Sequence, residues 1–322
     1  RAAAPSISER RTHLPDSAKG RIHMAHKKLR SQIPFHLMLL PATVLLLIYA
    51  YLPMAGISLA FLDYTPALGF SQAKFVGFGN FRTLFLNPGF FTAIVNTVVI
   101  AVWKIVLGLI IPVAVALMLN EIGSSWYKRV VQTVVYLPYF VSWVLMAGII
   151  VDIFSPANGL VNKLLGFFGV KPIFFLGDNK WFKFVIILTN VWKEFGWGTI
   201  IYMAALSGID PSLYEAAVID GAGRIRQTWS ITLPGLMPTI VLTATLSLGN
   251  ILNAGFDQIY NLMSPVTMKS GDIIDTLVYR LGMESAQFGV STAAGLFKSA
   301  ISCALIILSY KLADKAVGYK IF

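Results

Sequence analysis

Four charged residues interrupt stretches of the sequence that are otherwise apolar: Lys104, Lys193, Glu194 and Lys298. If these stretches cross a membrane, each charge is costly and should face protein or a water-filled cavity. The lysines and the glutamate then either snorkel or form structural pairs, or they line a polar cavity for a solute. Lys193 and Glu194 are adjacent and point about 100° apart on a helix, so they do not share a face. In a cavity, three lysines against one glutamate favour an anionic solute.

Amide and aromatic side chains occur in the same stretches, and this combination suits sugar rings. The C–H face of a sugar packs on an aromatic ring, and its hydroxyls find amide donors and acceptors. The alternative is the belt of Trp and Tyr that membrane proteins place at both interfaces. Trp197, Tyr202 and Gln258 lie in the same neighbourhood. The predicted solute path consists of Lys104, Asn190, Trp192, Lys193, Glu194, Asn250, Asn253, Asp257 and Tyr260.

No pattern of catalytic residues accompanies this path. The sequence has no phosphate-binding loop that ends in Gly-Lys-Ser/Thr, no nucleophile elbow and no paired carboxylates inside an apolar stretch. The one cysteine, Cys303, lies in an apolar run, and three of the four histidines lie within residues 1–33. We therefore predict that the chain is not an enzyme and binds neither a metal nor a cofactor.

A polar stretch at residues 210–234 separates two long apolar ones. Asp210 is a natural N-cap, and Pro211 suits the first position of a helix. Gly221 and Gly223 can adopt the positive φ that ends a helix and reverses the chain. These residues predict a short helix, a turn, and a second helix that runs from about Arg224 and ends near Pro234.

The spacing in this stretch is E-A-A-x3-G-x9-I-x-L-P, and it resembles the EAA loop of permease subunits of ABC importers. The resemblance implies that the loop docks in a cleft of an ATPase subunit. It further implies that Glu215 pairs with a basic residue of that partner, that two small alanines allow close packing, and that Gly221 permits the turn. The alternative is an ordinary amphipathic loop helix. The implied coupling residues are Tyr214, Glu215, Ala216, Ala217, Asp220, Gly221, Ala222, Leu233 and Pro234.

The composition places these motifs in a membrane protein. Of the 322 residues, 56% are hydrophobic and 13% are charged, whereas a soluble domain carries about 25% charged residues. The net charge of +11 suits cytoplasmic anchoring of a membrane protein. No nucleic-acid-binding motif accompanies it, so we exclude a nucleic-acid partner.

Six apolar stretches, each about as long as a transmembrane helix, predict an all-α polytopic membrane protein with six spans. The predicted spans are about 34–61, 90–119, 130–154, 182–206, 236–255 and 290–312. Residues 155–181 and 257–289 are predicted to be polar loops, and prolines inside the spans predict kinks. Residues 1–33 form a basic tail that we expect to be cytoplasmic, and residues 34–322 form the permease domain.

The distribution of basic residues predicts the orientation. An even number of spans puts both termini on one side, and loops rich in Lys and Arg remain in the cytoplasm. With both termini inside, the inner segments hold more basic residues than the outer ones, and the outer loops carry offsetting acids. Residues 210–234 then lie in the cytoplasm, where an ATPase could reach them. This topology does not depend on the motif.

Other segments narrow the resemblance to permeases for oligosaccharides and polysaccharides, nearest to the alginate and aldouronate types. These segments are 136–144, 192–196 and 249–259. The resemblance implies a type I ABC importer permease fold in the bacterial inner membrane. It implies a second permease subunit, an ATPase dimer that holds ATP and Mg, and an extracytoplasmic solute-binding protein as partners. An acidic saccharide fits both this resemblance and the lysine excess.

Three alternatives remain at this point. The chain could be an ABC permease for neutral sugars. A secondary transporter would instead depend on an ion gradient and would survive loss of an ATPase. A membrane-embedded enzyme would require the clustered catalytic groups that the sequence lacks.

Overall fold

The computed structural model describes the backbone of residues 34–317 and the side chains of residues 34–311. The chain divides into two compact units, of which the first ends at Ile57. Its described part belongs to α1 (Pro34–Phe61). The helix widens to a π turn at Leu47–Tyr51 and then tightens to a 3-10 helix from Leu52. Pro53 lies at this change, since its ring and missing N–H exclude regular α geometry. The predicted tail, 1–33, lies outside the described residues.

In the second unit, Ser58–Phe322, the regular elements of the part that the structure describes are helices and one small antiparallel hairpin of β1 (Leu62–Asp63) and β2 (Lys74–Phe75), in which Leu62 faces Phe75. The all-α prediction is thereby confirmed. The helices are α2 (Gly79–Leu86), α3 (Pro88–Asn120), α4 (Ser125–Tyr136), α5 (Trp143–Phe154), α6 (Leu160–Phe167), α7 (Asn179–Ser207), α8 (Pro211–Ile219), α9 (Arg224–Gln227), α10 (Leu233–Gly249), α11 (Phe256–Leu262), α12 (Met268–Gly271), α13 (Ile274–Tyr279) and α14 (Phe288–Val317).

The described helices are compatible with six spans. Four are long and apolar enough to cross a bilayer: α1, α3, the continuous helix Arg224–Gly249, and α14. A bent pair, Ser125–Phe140 with Trp143–Phe154, can supply a fifth. The remaining one is α7, whose 29 residues extend about 44 Å and exceed a hydrocarbon layer of about 30 Å. It is less apolar because it carries the Lys193–Glu194 pair and two further lysines.

The third span is not the continuous helix that the sequence predicts for 130–154. The chain breaks after a 3-10 turn, Leu137–Phe140, and bends by 106°. Pro138 has no N–H to continue the helical hydrogen bonds. Ser142 then starts α5 as its N-cap, because its hydroxyl accepts from the N–H of Leu145 at 3.4 Å. The sequence predicts a kink at a proline, but not a bend as large as this one.

The fifth span also differs from its prediction of 236–255. The helix that starts at Arg224 does not end near Pro234 but continues to Gly249. A π turn at Thr228–Thr232 immediately precedes the proline. In a regular α-helix the ring of Pro234 would clash with the carbonyl four residues earlier, and the wider turn provides the room. The chain leaves the helix after Gly249 and starts α11 after Gly255, whose φ is +97°.

Residues 257–289 are not a polar loop but a folded, largely buried segment that contains α11, α12 and α13. Two of its charged groups pair with each other: Arg280 donates to both carboxylate oxygens of Asp272 at 3.1 and 2.5 Å. Asn96 of α3 donates to the backbone carbonyl of Asp272 at 2.9 Å. Polar side chains are tolerated inside a protein when they are hydrogen-bonded, which explains why a polar sequence packs here.

The largest core cluster joins α3, α5, α7 and the segment after α10. Apolar side chains from all four regions are buried against one another. Its largest members include Ile100, Met146, Ile150, Phe182, Ile186, Ile259 and Ile273. Since α3 and α7 pack side by side along this cluster, polar residues further along the two helices are brought to a common cavity.

Candidate functional site

The predicted coupling loop begins with a well-defined helix, α8. The carboxylate of Asp210 accepts from the N–H of Ser212 at 2.9 Å, and Pro211 occupies the first turn. This hydrogen bond lowers the pKa of Asp210 below its ordinary value of 3.8. The N-cap prediction is therefore confirmed in its geometry.

Gly221 closes the same helix. The N–H of Ala222 donates to the carbonyl of Ala217 at 2.8 Å, and the N–H of Gly221 donates to that of Val218 at 3.0 Å. These two bonds define a Schellman motif, which needs a residue in the left-handed region. Gly221 has a φ of +73°, so the glycine of the EAA pattern is required by the backbone.

Side-chain contacts hold α8 against the helix that follows. Tyr214 and Thr232 share a hydrogen bond of 3.0 Å between their hydroxyls. Gln227 donates to the carbonyl of Ala222 at 2.8 Å. The start of α10, at Leu233 and Pro234, follows directly after Thr232. These contacts connect α8 to the helix of the fifth span near the start of α10.

The outer surface of this element mixes charge with apolar side chains. Glu215, Ala216 and Asp220 are exposed. Ile219 is 86% exposed and Ile225 is 78% exposed, although a polar loop in water should cover such residues. Exposed apolar side chains among polar ones are found at protein interfaces. The role of these residues in docking stays a prediction.

Replacing Asp210 tests whether the cap controls the order of α8. We expect Asp210→Ala to raise the amide hydrogen exchange of residues 211–219, whereas Asp210→Asn should leave it nearly unchanged because an amide oxygen can also cap. Because the folded pKa of Asp210 is lowered, its contribution to stability is complete above its ordinary pKa and disappears as the pH falls through the folded value. The asparagine variant should show no such acid dependence. Equal exchange in all three proteins would contradict the assignment.

The second site is a cavity of about 390 Å³ between α3, α7, α10 and the turn at 250–255. It brings together five residues of the predicted solute path. These are Lys104, Asn190, Glu194, Asn250 and Asn253. Ser247 of α10 also lines it and is absent from the predicted set. The sequence separates these residues by up to about 150 positions, and only the packing of α3 on α7 unites them.

Lys104 is held at the cavity wall by two acceptors. Its ammonium donates to the carbonyl of Ala254 at 2.7 Å and to Oε1 of Gln258 at 2.5 Å. Gln258 is fully buried, and its Nε2 donates to Ile186 at 2.8 Å and to Thr189 at 2.9 Å. An ammonium has three hydrogens to donate, so two are used here and one remains for the cavity.

Lys193 lies elsewhere, although the sequence places it in the solute path. It is buried, and its ammonium donates to the carbonyl of Tyr139 at 2.8 Å. It also lies over the rings of Tyr139 and Trp143, at 5.1 and 5.2 Å from their centroids. Glu194 is 3.6 Å away. The contacts of Lys193 connect α7 to the bend of the third span. Its placement therefore fits the alternative in which the charged residues form structural pairs.

The aromatic part of the predicted path does not line the cavity. Trp192 is 40% exposed and Tyr260 is 43% exposed. Tyr260 stacks on Phe256 at 5.3 Å between ring centroids. Asp257 is exposed on the same short helix, α11. The cavity is thus lined by amides and charges rather than by the aromatic faces that the sequence suggested.

Lys298 has partners that the sequence did not reveal. Its ammonium donates to Asn253 at 2.8 Å and to the carboxylate of Asp275 at 2.5 Å. No sequence signal links these three residues, because they belong to different elements and Asp275 lies in the stretch 257–289 that the sequence predicts to be a polar loop. Of the three lysines, only Lys104 lines the cavity, and Glu194 lines it too. The excess of lysines over glutamates in the apolar stretches is therefore not found in the cavity lining.

The chain belongs to the family of binding-protein-dependent transport system inner membrane components, whose model matches residues 108–319. It is similar to the polygalacturonan/rhamnogalacturonan transport system permease protein YteP of Bacillus subtilis (strain 168), with 41% identity over 89% of this chain and 90% of the relative. A lactose transport system permease protein, LacF of Rhizobium radiobacter, is 35% identical over 58% of this chain and 63% of the relative.

Two solved structures are similar to this chain over almost their whole length. One is a bacterial ABC transporter involved in the import of the acidic polysaccharide alginate, with a TM-score of 0.84, 37% identity, and coverage of 91% of this chain and 99% of that one. The other is a bacterial alginate ABC transporter in complex with an alginate pentasaccharide-bound periplasmic protein, with the same TM-score and identity and coverage of 92% and 99%.

Membership in this family decides between an ABC permease, a secondary transporter and a membrane-embedded enzyme. The chain is a multi-pass inner-membrane permease of a sugar ABC importer with the type I permease fold. ATP hydrolysis belongs to a separate ATPase subunit, so the prediction that this chain is not an enzyme is confirmed. An importer of this kind also requires a binding protein. The secondary transporter and the membrane-embedded enzyme are therefore rejected.

Proposed function

We propose that this permease, paired with a second permease of similar fold, forms the translocation path for an acidic oligosaccharide or polysaccharide. The cavity between α3, α7 and α10 carries the proposal. It unites Lys104 with the amides of Asn190, Asn250 and Asn253, and these groups can bind carboxylate and hydroxyl oxygens. Its volume of about 390 Å³ lies within the range of ligand sites, about 300–1,000 Å³.

The relatives support an acidic solute. Two similar solved structures belong to importers of alginate, which is described there as an acidic polysaccharide. The name of a relative with 41% identity specifies polygalacturonan, a polymer of a uronic acid. Sugar units that carry a carboxylate are a feature that these solutes share.

The proposed mechanism places residues 210–234 and both termini in the cytoplasm. An ATPase dimer that holds ATP and Mg docks under the exposed surface of α8, and Glu215 pairs with a basic residue of that dimer. When ATP closes the dimer, α8 moves and the Tyr214–Thr232 hydrogen bond transmits the movement to the start of α10. The spans then change from inward- to outward-facing, and the solute passes from the binding protein to the cavity.

A neutral sugar is the alternative solute. One relative is a lactose permease, and the lining contains one glutamate for one lysine. Amide groups also bind uncharged hydroxyls well.

A Lys104 variant tests the acidic solute. In proteoliposomes with the ATPase and the binding protein, we expect Lys104→Met to lower the uptake of alginate oligosaccharides at least about tenfold, because a charge-assisted hydrogen bond contributes about 1.5–3 kcal/mol. Lys163→Met, which removes an exposed lysine of α6, is the matched control and should leave uptake unchanged. Uptake of lactose but of no uronate oligosaccharide by the unaltered complex would contradict the proposal.

A further inference from the structure

Lys298 acts on the cavity through an amide rather than by facing it. Its ammonium lies 2.8 Å from Oδ1 of Asn253 and 2.5 Å from Asp275. Asn253 lines the cavity, whereas Lys298 and Asp275 do not. The carboxylate of Asp275 neutralises the ammonium, and the two side chains are 25% and 15% exposed respectively. Lys298 therefore contributes little net charge to the solute.

The ammonium determines which way the amide of Asn253 points. Lysine can only donate hydrogen bonds, so the amide atom that it contacts must be the oxygen. The nitrogen of Asn253 is then turned toward Asn250, where it donates to Oδ1 at 3.3 Å. The nitrogen of Asn250 in turn donates to the carbonyl of Leu246 at 3.3 Å. A donor-only ammonium at one end and an acceptor-only carbonyl at the other thus favour the same direction of the two amides.

This direction decides what the cavity offers to a solute. Each amide oxygen accepts one hydrogen bond from the protein, and each NH2 group donates one of its two hydrogens. The second hydrogen of each NH2 group and the third hydrogen of Lys104 are not used by these contacts. Glu194 is the acidic acceptor in the lining, and it is 3.6 Å from Lys193. With its oxygen held by the ammonium, Asn253 keeps an N–H donor on the side of the amide away from Lys298.

We propose that Lys298 is a positioning residue that makes this permease select solutes rich in hydrogen-bond acceptors, that is, carboxylated sugars. It does so by holding the oxygen of Asn253 on its ammonium, which keeps the N–H group of Asn253 for the solute. The inference rests on the proposed function, because it assumes that the solute occupies the cavity lined by these amides. Without the ammonium, the 3.3 Å hydrogen bond to Asn250 is the remaining contact that orients the amide of Asn253. This amide can then flip and present its oxygen, and a carboxylate loses its preference over a hydroxyl.

The test compares the binding of two probes to the detergent-solubilised complex of both permeases and the ATPase, without the binding protein. The probes are an alginate oligosaccharide and its carboxyl-reduced counterpart. We expect the unaltered complex to prefer the acidic probe. In Lys298→Met/Asp275→Asn, which removes the ion pair without leaving an unpaired charge, this preference should fall at least about tenfold, which corresponds to about 1.4 kcal/mol. Binding of the neutral probe should change less.

Two matched variants separate positioning from structural support. Asp275→Asn also removes the ion pair but keeps the ammonium on Asn253, so this variant should retain the preference for the acidic probe within about twofold. Lys298→Arg should retain the preference as well, because arginine is another donor-only side chain. Loss of preference in Asp275→Asn to the same extent as in the double variant would overturn the inference, because the ion pair would then be the cause. An unchanged preference in the double variant would also overturn the inference. If the unaltered complex prefers the neutral probe, the acidic solute itself is wrong.

Discussion

Replacing Gly221 by valine is expected to abolish ATP-driven uptake and to weaken attachment of the ATPase, while the spans remain folded. A φ of +73° is strained for any residue with a Cβ, by about 1–2 kcal/mol, and more for a β-branched side chain. The valine would open the Schellman motif that closes α8 and would displace Glu215 and its neighbours. We expect solute-stimulated ATP hydrolysis and uptake to fall at least about tenfold, since about 1.4 kcal/mol corresponds to a factor of ten.

Gly223 provides the control for this change. It lies two residues away in the same exposed turn, but its φ is −69° and a Cβ there would meet no atom within 4 Å. Valine adopts such an extended backbone readily, so Gly223→Val should retain coupling. The measurement is co-purification of the ATPase and its solute-stimulated activity in proteoliposomes. Normal activity of Gly221→Val, or equal loss in both variants, would refute the role assigned to the turn.

Gly196→Ala is expected to have the largest effect on folding. A Cβ at this position would lie 2.3 Å from the carbonyl oxygen of Val135 and 3.0 Å from Cα of Tyr136. Both are backbone atoms of the bent third span, so no side chain can turn away to make room. The helix α7 would have to separate from the bend and would lose the contact of Lys193 with the carbonyl of Tyr139. Overpacking costs about 1–3 kcal/mol, and we expect the upper end.

The measurement is the thermal midpoint of the purified complex, together with the amount of permease recovered from membranes. Gly148→Ala on α5 is the matched control, since nothing lies within 4 Å of a Cβ there, and it should change neither quantity appreciably. A Gly196→Ala complex with an unchanged midpoint would show that α7 and the bend are not packed as closely as the structure indicates.

The coupling loop was accessible from the sequence because its structure is local. Asp210, Pro211 and Gly221 act within a few residues of their own backbone, through a cap, a fixed φ and a left-handed turn. The positions of Pro138 and Pro234 were visible too, but their effects were not. Pro138 begins a bend of 106°, whereas a continuous helix passes through Pro234 after a π turn. The packing of neighbouring elements decides between these outcomes, and a local sequence pattern carries no information about that packing.

By itself, the sequence determined the class of protein, the apolar stretches and the coupling loop, because composition, helix length and turn chemistry are properties of contiguous residues. Only the tertiary structure decided which polar residues form a site. It placed Lys104, Asn250 and Asn253 in one cavity, turned Lys193 toward Tyr139 and paired Lys298 with Asp275. In each case a lysine ammonium takes the acceptors that packing brings near it, and those acceptors come from distant parts of the chain.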